Sequence, residues 1–317
     1  LKPKVLVTGI IPEKGLTQLR AECEVFYQPE IETRAWVLKH LSEYDGLLLA
    51  GMSADPELLA AGSNLKIVTT NGVGFDHVDL GFAQQQGIII TNCPQSVQKP
   101  TAEMTLALLL ATVRRLHFYD QALRQQQWLD VSQAEYMGMS LQDRVLGIYG
   151  LGRIGSQVAQ LAQALGMKVI YHQRHPLTTG QEQEQKVHYV DFSTLVRQAD
   201  VLTLHAPAVP ETTGIIDALV FDQMKPTAYL INTARGALVK QEDLIKALQQ
   251  GKIAGAGLDV FEDEPHLPAA LTKLDNVVLT PHAGTGTLAA RTAIAQEASQ
   301  NLIAYLCQGK ILHQVQA

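Results

Sequence analysis

The sequence predicts an α/β protein made of two doubly wound parallel-sheet domains with a cleft between them. Three observations predict it. Short apolar, β-branched runs alternate with helical patterns along almost the whole chain, which implies parallel strands covered by helices on both faces. One long helical stretch interrupts the alternation, which then starts again. And the chain has 317 residues, more than one core ordinarily carries.

The first array offers "KVLVTG" (4–9), "GLLLAG" (46–51), "LKIVTT" (65–70) and "GIIIT" (87–91) as strands. Between them, "TRAWVLKHL" (33–41) and "DPELLAAG" (55–62) carry helical spacing. A long helix is expected from Thr101 to about Gln126, with Pro100 ending the element before it. The second array opens with "RVLGIYG" (144–150) and runs through "KVIYHQ" (168–173), "KVHYVD" (186–191) and "VLTLHAP" (201–207). It continues with "AYLINTA" (228–234), "IAGAGLDV" (253–260) and "NVVLTPH" (276–282). "TTGQEQEQ" (178–185) reads as a polar surface loop, and a last helix covers roughly 288–307. Two such arrays do not share one sheet comfortably, so the boundary falls near residues 99–100.

Composition excludes several classes of function. The net charge of −6 supplies no basic surplus for a nucleic-acid partner. The apolar run "LALLLA" (106–111) is far too short to span a membrane, and no signal-peptide pattern opens the chain. The three cysteines, Cys23, Cys93 and Cys307, lie far apart in sequence and form neither a disulfide framework nor a CxxC metal pair. They read as buried or idle thiols; no metal is expected, and a reducing cytoplasm is the consistent compartment.

Gly150, Gly152 and Gly155 form G-x-G-x-x-G between the strand "RVLGIY" and the helical "RIGSQVAQLAQAL". That context marks a Rossmann dinucleotide site. The first glycine permits the turn, the second admits a pyrophosphate, and the third lets helix and strand pack closely. The helix N-terminus adds N–H groups and partial positive charge. About 20 residues on, such a unit ordinarily carries an acid for the adenine ribose. Gln173 stands there instead, followed by Arg174 and His175. A glutamine does not repel a 2′-phosphate, and Arg174 can make charge-assisted bonds to one, worth roughly 1.5–3 kcal/mol each. NADP(H) is therefore expected in preference to NAD(H), with NAD(H) use possible.

Arg235 in "INTARGALV", Glu264 in "GLDVFEDEP" and His282 in "LTPHAG" each follow a predicted strand, where open α/β sheets bind ligands. Arg235 suits a carboxylate or 2-oxo acid. His282 can pass a proton to an oxygen, and Glu264 can orient the imidazole. The set suits reduction of a 2-oxo acid. Met52, with Ala50 and Gly51 at the end of a first-domain strand, is a substrate-pocket candidate. Residues 128–139 are read as an arm reaching toward a partner subunit.

Taken together, "NGVGFDHVDL" (71–80), "GLGRIG" (150–155), "HAPAVPETTGII" (205–216), "MKPTAYLINTARGALV" (224–239), "GLDVFEDEP" (257–265) and "TPHAG" (280–284) resemble, in order, the D-isomer-specific 2-hydroxyacid dehydrogenases. The resemblance covers essentially the whole chain. It implies that Arg235, Glu264 and His282 are catalytic, and that the loop of Val73 and Gly74 holds the substrate carboxylate. It places cofactor contacts at Thr101, Arg153, Ile154, Gln173, Arg174, His205, Pro207, Thr212, Thr233, Ala234, Asp259 and Gly284. It implies a flavodoxin-like substrate domain of residues 1–99 and 287–317, a Rossmann domain of 100–286, and a homodimer joined through the latter. "YHQRH" (171–175) looks like the NADPH-using glyoxylate/hydroxypyruvate reductases, including the 2-ketogluconate reductase type. Two alternatives stand beside this reading. One is an NAD-dependent D-lactate or D-3-phosphoglycerate type dehydrogenase, against which Gln173 speaks. The other is a non-enzymatic dinucleotide-sensing protein like the corepressors that share the fold.

Overall fold

The computed structural model describes residues 1–316 and divides into two compact units. One is Leu1–Pro100 together with the segment from Thr285 onward; the other is Thr101–Gly284. Each has its own all-parallel sheet.

In the first unit, β1 (Lys4–Val7), β2 (Glu24–Phe26), β3 (Gly46–Leu49), β4 (Ile67–Thr70) and β5 (Ile89–Thr91) pair in the order β2-β1-β3-β4-β5, the flavodoxin-like order. β3 and β4 are buried along their whole length, as parallel strands covered on both faces should be. The 21-residue helix Leu288–Gln308 packs here: a Cβ on Gly15 would sit 2.3 Å from the Ala295 Cβ, so only glycine lets helix and loop approach so closely. Its buried Glu297 accepts from the Gln95 and Ser96 N–H groups at 3.0 and 2.8 Å. The chain beyond it runs antiparallel beside β5, Val315 N–H donating to Ile90 O, and so covers that sheet edge.

The second unit contains β6 (Val145–Tyr149), β7 (Lys168–His172), β8 (Val187–Tyr189), β9 (Val201–Leu204), β10 (Tyr229–Asn232), β11 (Gly255–Leu258) and β12 (Val277–Leu279). Their order is β12-β11-β10-β9-β6-β7-β8. Strand order reverses between β6 and β9, and that switch point is where a doubly wound sheet opens a ligand crevice. Strand alternation sends Leu202, Leu204 and Leu230 into one apolar cluster, and Val201 and Ile231 into the cluster on the opposite face.

Local expectations are corrected at four places. The expected continuous helix from 101 is two helices, Gln98–Val113 and Leu116–Arg124. Arg115 breaks it at φ 55°, its guanidinium 4.2 Å above the Phe118 ring. Pro100 lies inside the first turn, where its missing N–H is one the helix does not use. The segment expected as a polar loop holds the helix Thr179–Gln185, started by a reciprocal Thr178–Gln181 capping box. β2 was not anticipated, being three residues long and opening on the exposed Glu24. Cys23 and Cys307, remote in sequence, have sulfurs 4.0 Å apart; both thiols are free, and burial pushes that of Cys23 up to about 12. Among the described residues no helix is long and apolar enough to cross a membrane, and no cluster of acidic, His or Cys side chains forms a metal site.

Candidate active site

The glycine turn leaves β6 at the switch point. Gly150 has φ 94°, a conformation that L side chains rarely adopt, and a Cβ on it would meet the Ala206 N at 2.8 Å. A Cβ on Gly155 would lie 2.4 Å from the Gly150 carbonyl oxygen, so helix and turn pack backbone to backbone. Gly152 caps the helix Arg153–Ala164 without any side-chain hydrogen bond, and the space beside its Cα is open. The first-turn N–H groups of a 12-residue helix thus face a cradle that a side chain would fill. The residues present fit a dinucleotide pyrophosphate. Arg153 is exposed there, and Ile154 leans on the core.

Gln173, at the end of β7, is turned toward this loop. Its Oε1 accepts from Leu151 N–H at 3.0 Å, and its Nε2 donates to the His175 carbonyl at 2.7 Å. Arg174 Nε donates to His175 Nε2 at 3.1 Å, and both side chains are exposed. So Gln173 braces the glycine loop, while Arg174 keeps its terminal nitrogens for another partner. Beyond β9, burial pushes the His205 imidazole down to about 3, so the ring is neutral; its Nε2 lies 2.9 Å from the Thr203 hydroxyl. The Thr212 hydroxyl donates to Pro207 O at 2.7 Å and accepts from Val209 N–H, which closes the 207–212 loop on itself.

Three adjoining strand ends carry the reactive groups. After β10, Asn232 shapes the turn: its Oδ1 accepts from Ala234 N–H, and its Nδ2 donates to the Arg235 carbonyl. Arg235 Nη1 donates to Ala234 O at 2.7 Å. A Cβ on the next residue, Gly236, would overlap the Phe261 carbonyl at 1.9 Å, so the Arg235 loop and the loop after β11 touch through backbone. In that second loop, Glu264 Oε1 accepts from Phe261 N–H at 3.0 Å, which fixes the carboxylate. Its Oε2 lies 2.7 Å from His282 Nδ1. A carboxylate only accepts, so Nδ1 carries hydrogen and Nε2 is left to exchange a proton.

His282 sits after β12 at φ 52°, unusual for a non-glycine residue. The buried Asp259 carboxylate enforces it, accepting from Ala283 and Gly284 N–H at 2.7 and 2.8 Å and from the Thr280 hydroxyl. His282 N–H is itself held by the Asp259 carbonyl at 2.8 Å. The structure therefore brings His282, Glu264, Asp259 and Gly284 into one bonded cluster. Thr101, on the helix Gln98–Val113, lies beside Gly284. Sequence reasoning did not single out Asn232, Thr280 or Thr105 as bracing residues; only Asn232, a turn-forming type just past a strand, carried a local signal.

Val73, Gly74 and Met52 belong to the first unit. The loop after β4 turns its carbonyls inward: Gly72 O accepts from Cys93 N–H and from the Thr70 hydroxyl, and Val73 O from Asn92 Nδ2 at 2.8 Å. No hydrogen-bond partner of the Val73 and Gly74 N–H groups is present among the described residues. Met52, after β3, is half-buried against its own unit's core.

A glycine turn at the switch point, with an imidazole–carboxylate pair at the ends of β11 and β12 in the same sheet, defines a dinucleotide-dependent oxidoreductase. The sequence pattern described as "D-isomer specific 2-hydroxyacid dehydrogenase, NAD binding domain" matches residues 106–284. The chain belongs to this family and is an NAD(P)-dependent oxidoreductase. It is 41% identical over 314 residues to a glyoxylate reductase of Thermococcus litoralis, covering 96% of this chain and 94% of that one. A glyoxylate reductase of Thermofilum pendens is 39% identical, with 96% and 92% covered. Among solved structures, an NADPH-dependent glyoxylate/hydroxypyruvate reductase of Sinorhizobium meliloti, in complex with NADP and malonate, superposes with a TM-score of 0.87. It is 32% identical, with 99% and 97% covered. A glyoxylate reductase of Paecilomyes thermophila gives a TM-score of 0.90 at 30% identity, with 99% and 98% covered.

Proposed function

We propose that this protein reduces a small 2-oxo acid of the glyoxylate or hydroxypyruvate kind to the D-2-hydroxy acid, using NADPH in preference to NADH. One observation carries the proposal: Glu264 holds His282 at 2.7 Å at the carboxyl end of a dinucleotide-binding sheet. Reduction of a keto group needs a proton at oxygen as well as a hydride at carbon. When bound, a reduced nicotinamide supplies the hydride. His282 Nε2 donates the proton to the forming alkoxide, and Glu264 stabilises the imidazolium before transfer. Arg235 binds the carboxylate and polarises the carbonyl. Val73 and Gly74 add main-chain N–H groups to the carboxylate, and Met52 bounds the substrate's substituent. Gly150, Gly152, Arg153, Ile154 and Gly155 hold the pyrophosphate; Gln173, Arg174 and His175 meet the adenosine end. His205, Pro207, Thr212, Thr233, Ala234, Asp259, Gly284 and Thr101 line the rest.

The names of the relatives support glyoxylate as the first substrate to try, and the Sinorhizobium enzyme supports NADPH. We also propose a homodimer formed through the Thr101–Gly284 unit. The test is a panel of 2-oxo acids of rising size, each assayed with NADPH and NADH. We expect the highest kcat/KM for glyoxylate or hydroxypyruvate with NADPH. No turnover of any 2-oxo acid, with dinucleotide binding intact, would favour a sensing role. Equal or better use of NADH would overturn the cofactor preference alone.

A further inference from the structure

Behind β10, two buried threonines carry an ordered set of protons. Thr105, on the helix Gln98–Val113, is fully buried, and its hydroxyl donates to the Thr101 carbonyl at 2.8 Å. The same oxygen lies 2.7 Å from the Thr233 hydroxyl oxygen. A hydroxyl has one hydrogen, and a carbonyl has none to give. The hydrogen of Thr105 is spent on Thr101, so the Thr233 hydroxyl must donate to Thr105. The Thr233 hydrogen therefore points into the protein, and elsewhere Thr233 offers lone pairs alone.

The neighbouring strand end has the same polarity. β10 and β11 pair in register through Asn232 and Leu258, and Asp259 N–H donates to Asn232 O at 2.9 Å. Thr233 and Asp259 are thus the next residues of adjacent strands. The Asp259 carboxylate is an acceptor by nature, and Gly284, which it holds, lies beside Thr101 on the helix that carries Thr105. Two neighbouring strand ends thus each carry a buried oxygen group that only accepts.

We propose that Thr105 is a positioning residue: it fixes the Thr233 hydroxyl as an acceptor and so selects the –NH₂ of the nicotinamide carboxamide. This rests on the proposed placement of the dinucleotide's nicotinamide end at β10 and β11. A carboxamide offers two N–H donors, whereas an acetyl group in its place offers none. Freed from Thr105, the Thr233 hydroxyl could turn its hydrogen outward and would oppose the amide.

Calorimetric titration of NADPH and of its 3-acetylpyridine analogue into the purified protein tests this by binding, without turnover. Thr105→Val should weaken NADPH by roughly 3- to 10-fold, the range of one net hydrogen bond, and leave the analogue within about 2-fold. Thr105→Ser, which keeps the hydroxyl, should restore the wild-type preference. Equal weakening of both probes by Thr105→Val would overturn the proposal, since packing damage does not distinguish them. If Thr233→Ala weakens NADPH while Thr105→Val changes neither probe, the role of Thr105 alone is refuted. If Thr233→Ala changes neither, the placement of the carboxamide fails and the proposal with it.

Discussion

His282 is held at φ 52°, a conformation costing of order 1–3 kcal/mol for a non-glycine residue. Three hydrogen bonds from residues 280–284 to the Asp259 carboxylate and one to its carbonyl impose it. They also aim Nδ1 at Glu264. His282→Ala should therefore lower kcat by at least about 100-fold while NADPH still binds, as single-turnover kinetics and titration would report. Unimpaired single-turnover chemistry with lost binding would refute the proton-donor role. At the other end of the cofactor site, Gln173 uses both ends of its amide, one on Leu151 and one on His175. Gln173→Glu keeps the acceptor, loses the donor and adds a negative charge. It should raise KM for NADPH more than KM for NADH, shifting the preference by about 10-fold or more; an unchanged ratio would show that this position does not read the 2′-phosphate. Arg235, Glu264 and His282 were read as candidates from their places after predicted strands and from the family resemblance of the motifs around them, and the structure joins two of them, Glu264 and His282. Thr105 was not. Its bond to Thr233 spans a sequence separation of 128 residues, and a threonine inside an apolar helix looks like any other.

Among the elements, the alternation of strands and helices was readable because a parallel sheet covered on both faces demands continuous apolar runs. What escaped were features decided by one or two side chains. The break between the helices Gln98–Val113 and Leu116–Arg124 has neither glycine nor proline to announce it; Arg115 makes it by stacking on Phe118 and donating to the Glu135 carbonyl. The Thr178–Gln181 capping box did carry a signal, but its polar helix lacks an apolar stripe long enough to be noticed. Strand alignment is similarly local. Asp200, just before β9, has its pKa raised by burial, but the Lys225 ammonium and the Val145 N–H outweigh that and hold it below the usual carboxylate range. It ties the starts of β6 and β9, and its own carbonyl receives Tyr229 N–H of β10. Asp200→Asn should destabilise by about 1–2 kcal/mol at pH 7, modest because Lys225 is partly open to solvent. The folded pKa lies below the unfolded value, so the contribution is whole above about pH 4 and is lost as pH falls through the depressed value. Urea unfolding of both proteins should show the gap narrowing in acid; a gap that holds or widens would mean that the ion pair is not its source.

For the whole molecule, the proposed dimer depends on one surface of the Thr101–Gly284 unit. Leu116 and Leu123 stand seven positions apart on the helix Leu116–Arg124, hence on one face, and both are exposed. The following segment adds Trp128 at 88% exposure, with Val131 and Met137 also exposed. Isolated exposed apolar residues need no explanation, but five within one short stretch mark a surface that a partner would cover. The family resemblance names a second copy of the chain as that partner. A charge placed among these residues costs little in the isolated chain, because each already faces water, but in a covered interface it would be desolvated without a counter-ion. Leu123→Glu combined with Trp128→Glu should therefore convert a dimer to a monomer in light scattering, with urea unfolding of the same sample reporting that the fold is kept. A wild-type protein that runs as a monomer at micromolar concentration, or a double variant that stays dimeric, would remove this surface from the assembly.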